Sequence, residues 1–305
     1  MYHVTRRRLT LAATALAVAA VGAVASAEPA AAIVGGQDAT QSYPGTTVVQ
    51  ILYPGLGTAL CGGALIQPDV VLTAAHCVSD DAAAPKPVPV PAANITVRIG
   101  STDRTTGGQV ATGRRVFLPA GWAWASNWPS PVSDYALIEL DRPVQSQLMP
   151  LALHPAGVGD AVRLLGWGLT KYPPTAGPPA LLQQQDTVRL PTTTCDGGFI
   201  SDGEACYGGG ACYGDSGSPA VRSSISAGAS RDPRWSQVGI ASRETSTERP
   251  CVEPTIYTDL TSIRVRLWVA TTIRTRHAEA CTCPPTVLNP ATRGRIDRLK
   301  PQIVP

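Results

Sequence analysis

Through most of its length this chain alternates short runs rich in Val, Ile, Leu and Thr with Gly and Pro. That punctuation restricts its fold more than any other feature. Residues 47–52, 70–73, 95–99, 136–140, 161–165, 238–241 and 256–258 are such runs. They are too short for helices and have the length of strands in a sandwich or barrel. The 29 Gly and 28 Pro are dispersed without a fixed period, so they mark turns rather than a fibrous repeat. One segment reads differently. Over 261–280, Ile263, Leu267, Ala270, Ile273 and Ala278 fall near one helical stripe, with Arg264, Arg266, Arg274 and Arg276 among them. This predicts a C-terminal helix. The Pro-rich stretches 82–93, 128–131 and 172–179 are expected as surface loops, and 284–305 as a loosely ordered basic tail. With 305 residues, 44% of them hydrophobic, the chain can bury a substantial core.

The first 32 residues precede that pattern. Arg6, Arg7 and Arg8 open an uncharged Ala/Val/Leu run over 9–24 that ends at Ala25-Ser26-Ala27. A basic start, a short apolar run and a small-residue cleavage site are the layout of a secretory signal peptide. The run is short for a bilayer span. The expectation is a signal peptide at 1–27, a short propeptide at 28–32 and a secreted, extracellular protein with no stable membrane anchor. Export leads to an oxidising compartment, so the eight Cys are expected to pair. Removing 1–32 takes away Arg6, Arg7, Arg8 and Glu28, which leaves 22 basic and 21 acidic residues, net +1. So small a charge argues against partnership with nucleic acid through an electrostatic field. Lys occurs only at 86, 171 and 300; with abundant Ala, Gly and Pro, this bias points to a GC-rich bacterial source.

Four segments carry the chemistry: Ile33-Val34-Gly35-Gly36, Thr73-Ala74-Ala75-His76-Cys77, Asp134-Tyr135-Ala136-Leu137 and Gly214-Asp215-Ser216-Gly217-Ser218-Pro219. Each alone has a bland reading, since a Ser among glycines is ordinarily a turn. Together they meet a specific need. A Ser hydroxyl is a poor nucleophile at neutral pH and requires a base within reach. Imidazole accepts that proton and later returns it to the leaving group. A buried carboxylate holds the ring in the required tautomer. Glycines around the Ser let the backbone turn sharply and aim N–H groups at a developing oxyanion. The chain order His, Asp, Ser matches one known order for such a triad.

These segments resemble those of the chymotrypsin/trypsin family of serine proteases, over 33–268. Cys61-Gly62-Gly63-Ala64, Gly166-Trp167-Gly168, Gly239-Ile240-Ala241-Ser242 and Tyr257-Thr258 add to the resemblance. It implies an all-β fold of two packed antiparallel six-stranded β-barrels with a C-terminal helix. The protease domain would span 33–280, with barrel one at about 33–148, barrel two at about 149–280, and a tail at 281–305. Residue by residue, it implies Ser216 as nucleophile, His76 as general acid/base and Asp134 as orienting carboxylate. The N–H groups of Gly214 and Ser216 would form the oxyanion hole, and Ile33, as a new N-terminus, would pair with Asp215. The implied disulfides are Cys61–Cys77, Cys195–Cys206 and Cys212–Cys251. Cys281 and Cys283 remain outside this pattern and pair with each other or with another molecule. A zinc site would need more ligands than Cys281, Cys283 and His277. The loop after Gly100 lacks a carboxylate cluster for calcium. No cofactor and no metal are expected.

The resemblance also assigns a substrate pocket to Gly210, Ala211, Ser242, Arg243, Glu244 and Thr255. Gly210 stands where trypsin-like enzymes carry an Asp that pairs with Arg or Lys, and Thr255 where many relatives have Gly. The implied preference is for small or medium apolar residues before the scissile bond, in a shallow pocket. Three departures bear on this. Ser242-Arg243-Glu244 replaces an apolar wall, so that Glu244 either blocks the mouth or attracts a basic residue. The stretch between Cys206 and Cys212 is short. Ser218 replaces a second Gly and would be strained if its φ were positive. Trp122, Trp124 and Trp128 either line subsites or pack. The partners expected are a protein or peptide substrate and, as a candidate, a protein inhibitor. The rival functions are a catalytically silent binding protein of the same fold and an esterase using the same triad.

Overall fold

The computed structural model describes residues 33–43, 45–80, 87–123, 133–223, 235–246, 250–252 and 254–280, with side chains to 276. The expected signal peptide and propeptide, Trp124, Trp128, the His277 side chain, Cys281, Cys283 and the tail lie outside the described residues. A short strand β1 (Gln37–Asp38) leads in. Strands β2 (Thr46–Tyr53), β3 (Gly57–Gln67), β4 (Val70–Thr73), β5 (Ile95–Ile99), β6 (Gln109–Phe117) and β7 (Ala136–Leu140) then close a barrel in the order β2-β3-β4-β7-β6-β5. Strands β8 (Ala161–Gly166), β9 (Gln183–Leu190), β10 (Glu204–Tyr207), β11 (Pro219–Ser223), β12 (Trp235–Glu244) and β13 (Thr255–Asp259) make a second ring, β8-β9-β10-β13-β12-β11, because β8 pairs with both β9 and β11. β1 adds to β9. All these pairings are antiparallel, and the two barrels divide between Leu140 and Ala161.

The strands follow from side-chain parity. In β5, Ile95, Val97 and Ile99 are buried while Thr96 and Arg98 between them are half-buried, so every second residue enters the barrel. β4 and β7 are buried throughout; one face fills the first barrel and the other meets neighbouring elements. In β3, two consecutive glycines lie where chains pass closest. A Cβ on Gly62 would collide with Ser218 of the second barrel, and one on Gly63 with the Leu72 carbonyl. Small side chains here let the barrels touch through backbone.

The C-terminal helix α1 (Ile263–Ala280) forms as expected, but on a different face. Ile263 and Leu267 of the expected stripe are exposed, whereas Val265 and Val269 are buried against the first barrel and Ile273 packs beside them. Both stripes have helical spacing, and tertiary contacts decide between them. Arg276, only 3% exposed, fixes the choice. Its guanidinium takes both oxygens of Asp69 at 2.8 Å and reaches Glu139 at 3.1 Å. Arg114 and Arg115 of β6 also pair with Glu139. Burial works to raise the Glu139 carboxyl, but hydrogen bonds and charge from Arg115 and Arg114 outweigh it and hold it low. The helix is thereby locked to barrel one by a fork of charge-assisted bonds.

Three disulfides join Cys61 to Cys77, Cys195 to Cys206 and Cys212 to Cys251. In the chain-entropy model, a loop of about fifteen residues such as the first contributes roughly 3 kcal/mol.

Candidate active site

The site lies where the barrels meet. His76 sits in a single 3-10 turn, Ala75–Cys77, directly after β4, and the disulfide from Cys77 to Cys61 ties that turn to β3. Asp134 precedes β7 and is fully buried. Its two oxygens are divided between several donors. Oδ1 accepts the His76 backbone N–H at 3.0 Å, and Oδ2 lies 2.8 Å from His76 Nδ1 and accepts the Ser242 hydroxyl at 2.7 Å. Burial pushes this carboxyl up, yet the charge and hydrogen bonds of His76, with Ser242, win and keep it below the usual carboxylate range. Thr258 of β13 donates to the Asp134 carbonyl at 2.9 Å, so both barrels hold this one residue.

Ser216 occupies the turn before β11, and its carbonyl accepts Gly62 N–H from barrel one at 2.7 Å. The turn is tight and largely self-satisfied. Asp215 N–H donates to Cys212 O, Gly217 N–H to Ala241 O and Ser218 N–H to Asp215 O. Among the described residues, the N–H groups of Gly214 and Ser216 donate to no protein acceptor. Gly214 has φ +101 and Gly217 φ +79, conformations that favour glycine. A Cβ on Gly217 would meet Thr73 Oγ1 and the Gly62 carbonyl.

Asp215 is buried beneath this turn and accepts N–H bonds from Gly168 at 2.8 Å and Cys212 at 2.9 Å. Burial nevertheless pushes its carboxyl up to about 7. Ile33 is also fully buried, and Val34 N–H donates to Gly210 O at 2.8 Å.

A cavity of about 900 Å³ opens beside His76 and Ser216. It is lined by Ala211 to Tyr213, by Ala241 to Ser246, by Thr255 and by Gly197 to Phe199. Several expectations change here. Gly210 does not line it. Bridging to Val34 draws Gly210 behind the wall, and a Cβ there would collide with the Cys251 carbonyl. Thr255 does line it, buried, with Ala211 and Ser242. Arg243 and Glu244 do not form a pair with each other, because Arg243 turns to Glu204. The cavity takes in the 197–199 segment, with Arg243 bordering it beside its Glu204 partner. Trp122 packs in the core of barrel one and donates its indole N–H to Ser79 at 3.0 Å.

Ser218 is not strained, since it is not among the positive-φ residues. Its hydroxyl is instead buried without a hydrogen-bond partner among the described residues. An unpaired buried hydroxyl costs about 1–3 kcal/mol. Ser218→Ala is therefore expected to stabilise the protein by about 1 kcal/mol and raise Tm by about 2–4 °C for a chain of this size. A calorimetric scan showing a lower Tm would reveal a partner for that hydroxyl.

Sequence reasoning gave no role at the site to Gly62, Gly168 and Thr258, which it read only as landmarks of the resemblance, and it passed over Glu204 and the 197–199 segment. Each reaches the site through contacts with elements distant in sequence.

A sequence model of the family described as Trypsin matches residues 33–269. A trypsin-like protease of Streptomyces glaucescens is 28% identical over 262 residues, covering 82% of this chain and 87% of that protein. A trypsin of Sarcophaga bullata is 30% identical over 174 residues, 53% of this chain and 63% of that protein. Among solved structures, an inactivated protease paralogue of the scabies mite shares the fold with a TM-score of 0.59 at 20% identity, covering 79% of this chain and 97% of that one.

Proposed function

The chain belongs to the trypsin family of serine proteases, and from that premise we propose that it is a secreted serine endopeptidase using Ser216, His76 and Asp134. The observation that carries this reading is the imidazole held at 2.8 Å by a buried carboxylate, with Ser216 lining the same cavity. In the reaction, Ser216 Oγ attacks the scissile carbonyl and its proton passes to His76 Nε2. The oxyanion forms against the N–H groups of Gly214 and Ser216, which no protein acceptor takes among the described residues. His76 then protonates the departing amine, leaving an acyl-enzyme. Water, deprotonated by the same imidazole, releases the acid and restores Ser216.

Ile33 is the proposed mature N-terminus. As an internal residue it is held at φ +66, a region that costs a β-branched side chain roughly 1–3 kcal/mol. Cleaving the 32–33 bond removes that torsion and frees an ammonium for Asp215, whose buried charge has no cationic partner among the described residues. Ala30-Ala31-Ala32 fits the small-residue rule for export processing. N-terminal sequencing of the secreted protein is expected to begin at Ile33; active protein beginning at Glu28 would sink this route. Among the described residues, no helix is long and apolar enough to cross a membrane.

On cleavage preference two features pull apart. The presence of Thr255 in the wall supports small or medium apolar residues before the scissile bond. Glu244 in the same cavity pulls toward a cation. The catalytic reading is tested with a serine-directed phosphonate on protein that begins at Ile33. Modification of Ser216, lost in Ser216→Ala, is expected. Intact protein that stays unmodified would favour a silent binding protein, and turnover of esters without peptides would favour an esterase.

A further inference from the structure

We propose that Glu244 makes the cavity beside Ser216 a receptor for a cationic side chain, so that the bond cleaved follows Arg or Lys rather than an apolar residue. The inference rests on the endopeptidase reading, and it places the recognising charge on β12 rather than at Gly210.

Strand register supplies the first step. The pairing of β12 with β13 shifts between Ala241 and Arg243, after which Arg243 lies opposite Ile256 and Glu244 opposite Thr255. Cross-strand partners share a face of the sheet. Ile256 is also opposite Cys206 on β10, and Glu204 is two positions along that strand on the same face. Arg243 accordingly points to Glu204, whose Oε2 lies 2.8 Å from Nη2, and donates to the carbonyls of Gly198 and Phe199 at 3.0 Å. Its side chain is 6% exposed. Arg243 borders the cavity as well, but its charge is compensated there by Glu204. Glu244 stays with Thr255 on the face that lines the cavity.

What remains there is an uncompensated carboxylate. Among the described residues no Arg, Lys or His forms an ion pair with Glu244. Burial pushes its carboxyl up, relieved only in part by a backbone N–H bond from Cys251. Burial, then the charges of Glu244 and Tyr172, raise the Tyr213 hydroxyl, which borders the same cavity. An apolar side chain entering would strip more water from this carboxylate and return nothing. A guanidinium or ammonium would pair with it. The cavity extends to the 197–199 segment and has the volume for a long side chain at about 900 Å³.

The test separates binding from catalysis. Processed Ser216→Ala protein is titrated with benzamidine by calorimetry, with and without Glu244→Gln. In active protein, chromogenic peptides ending in Arg, Lys, Ala, Val or Leu are compared across wild type, Glu244→Gln and Glu244→Asp. Benzamidine is expected to bind Ser216→Ala and to weaken at least tenfold with Glu244→Gln. Cleavage after Arg should fall a hundredfold or more in kcat/KM with Gln and be largely kept with Asp. Equal benzamidine binding with Gln, or wild-type cleavage confined to Ala and Val, overturns the proposal while phosphonate labelling of Ser216 keeps the protease. Benzamidine binding lost with Gln, in protein that neither labels nor cleaves any peptide, upholds the cation receptor and removes the protease instead.

Discussion

Asp134→Asn is expected to lower kcat about 10⁴-fold, with KM nearly unchanged. The reason is the direction of one proton. Asp134 Oδ2 lies 2.8 Å from His76 Nδ1, so the carboxylate requires Nδ1 to carry the hydrogen and leaves Nε2 as the proposed acceptor for the Ser216 proton. Oδ1 is committed to the His76 backbone N–H, and that bond fixes which atom of an Asn must be its carbonyl oxygen. The amide nitrogen then faces Nδ1 and donates to it, which moves the ring hydrogen to Nε2. His76 can no longer take a proton from Ser216. In the cavity only the Ser242 hydroxyl changes, turning from donor to acceptor toward the new amide, so binding persists. A 10⁴-fold loss corresponds to about 5.5 kcal/mol of transition-state stabilisation. Steady-state kinetics on a peptide substrate checks it; a fall of less than tenfold would show that His76 is oriented by something other than Asp134.

The strands that read clearly in sequence are those whose apolar residues run without interruption. β4, β5 and β7 have the bounds that their Val, Ile and Leu runs predict. β3 is hidden by Gly62 and Gly63, which disfavour strands in isolation and are tolerated because Ser218 of barrel two presses on Gly62 and the Leu72 carbonyl of β4 on Gly63. β9, opening Gln183-Gln184-Gln185-Asp186, buries amides rather than hydrocarbon. Gln184 accepts the Tyr43 hydroxyl at 2.6 Å, and Gln185 donates to Val34 O and accepts from Gly210 N–H. Polar strands that hold the N-terminal segment carry no hydrophobic signal.

The same limit applies at the site. His76, Asp134 and Ser216 stand in short motifs whose residue types point to a chemistry, and a linear reading singles them out as candidates. Arg243 and Glu244 are different, because the direction of each depends on the register shift after Ala241. A single chain does not display which strand β12 will face, and hence not that Glu204 will draw Arg243 away. Ser218 would be strained only at positive φ, which it does not adopt, and its cost is instead an unpaired hydroxyl. In both places the outcome depends on partners from other elements rather than on the residue itself.

The uncleaved chain should lose on the order of 4 kcal/mol of stability as pH rises from 4 to 8, and cleavage before Ile33 should abolish that loss. Asp215 is the source. Burial pushes its carboxyl from 3.8 to about 7, with the N–H bonds of Cys212 and Gly168 opposing only part of the effect. Between those values the folded chain holds a proton that the unfolded chain has released, so rising pH favours unfolding. Below 3.8 both states are protonated and Asp215 contributes no pH dependence. Each unit of difference is about 1.4 kcal/mol, which gives the stated size. Asp134 acts in the opposite sense and in a lower window. Its carboxyl is held below the usual range, so its contribution is present across pH 4–8 and fades only in more acid solution. In the cleaved chain the proposed ammonium on Ile33 would compensate the Asp215 charge, and ionisation would no longer oppose folding. Urea unfolding of Ser216→Ala protein, prepared uncut and cut, measures both cases without self-digestion. Asp215→Asn should flatten the uncut profile. An uncut chain as stable at pH 8 as at pH 4, or a cut chain equally sensitive, would remove Asp215 as the group that awaits the new N-terminus.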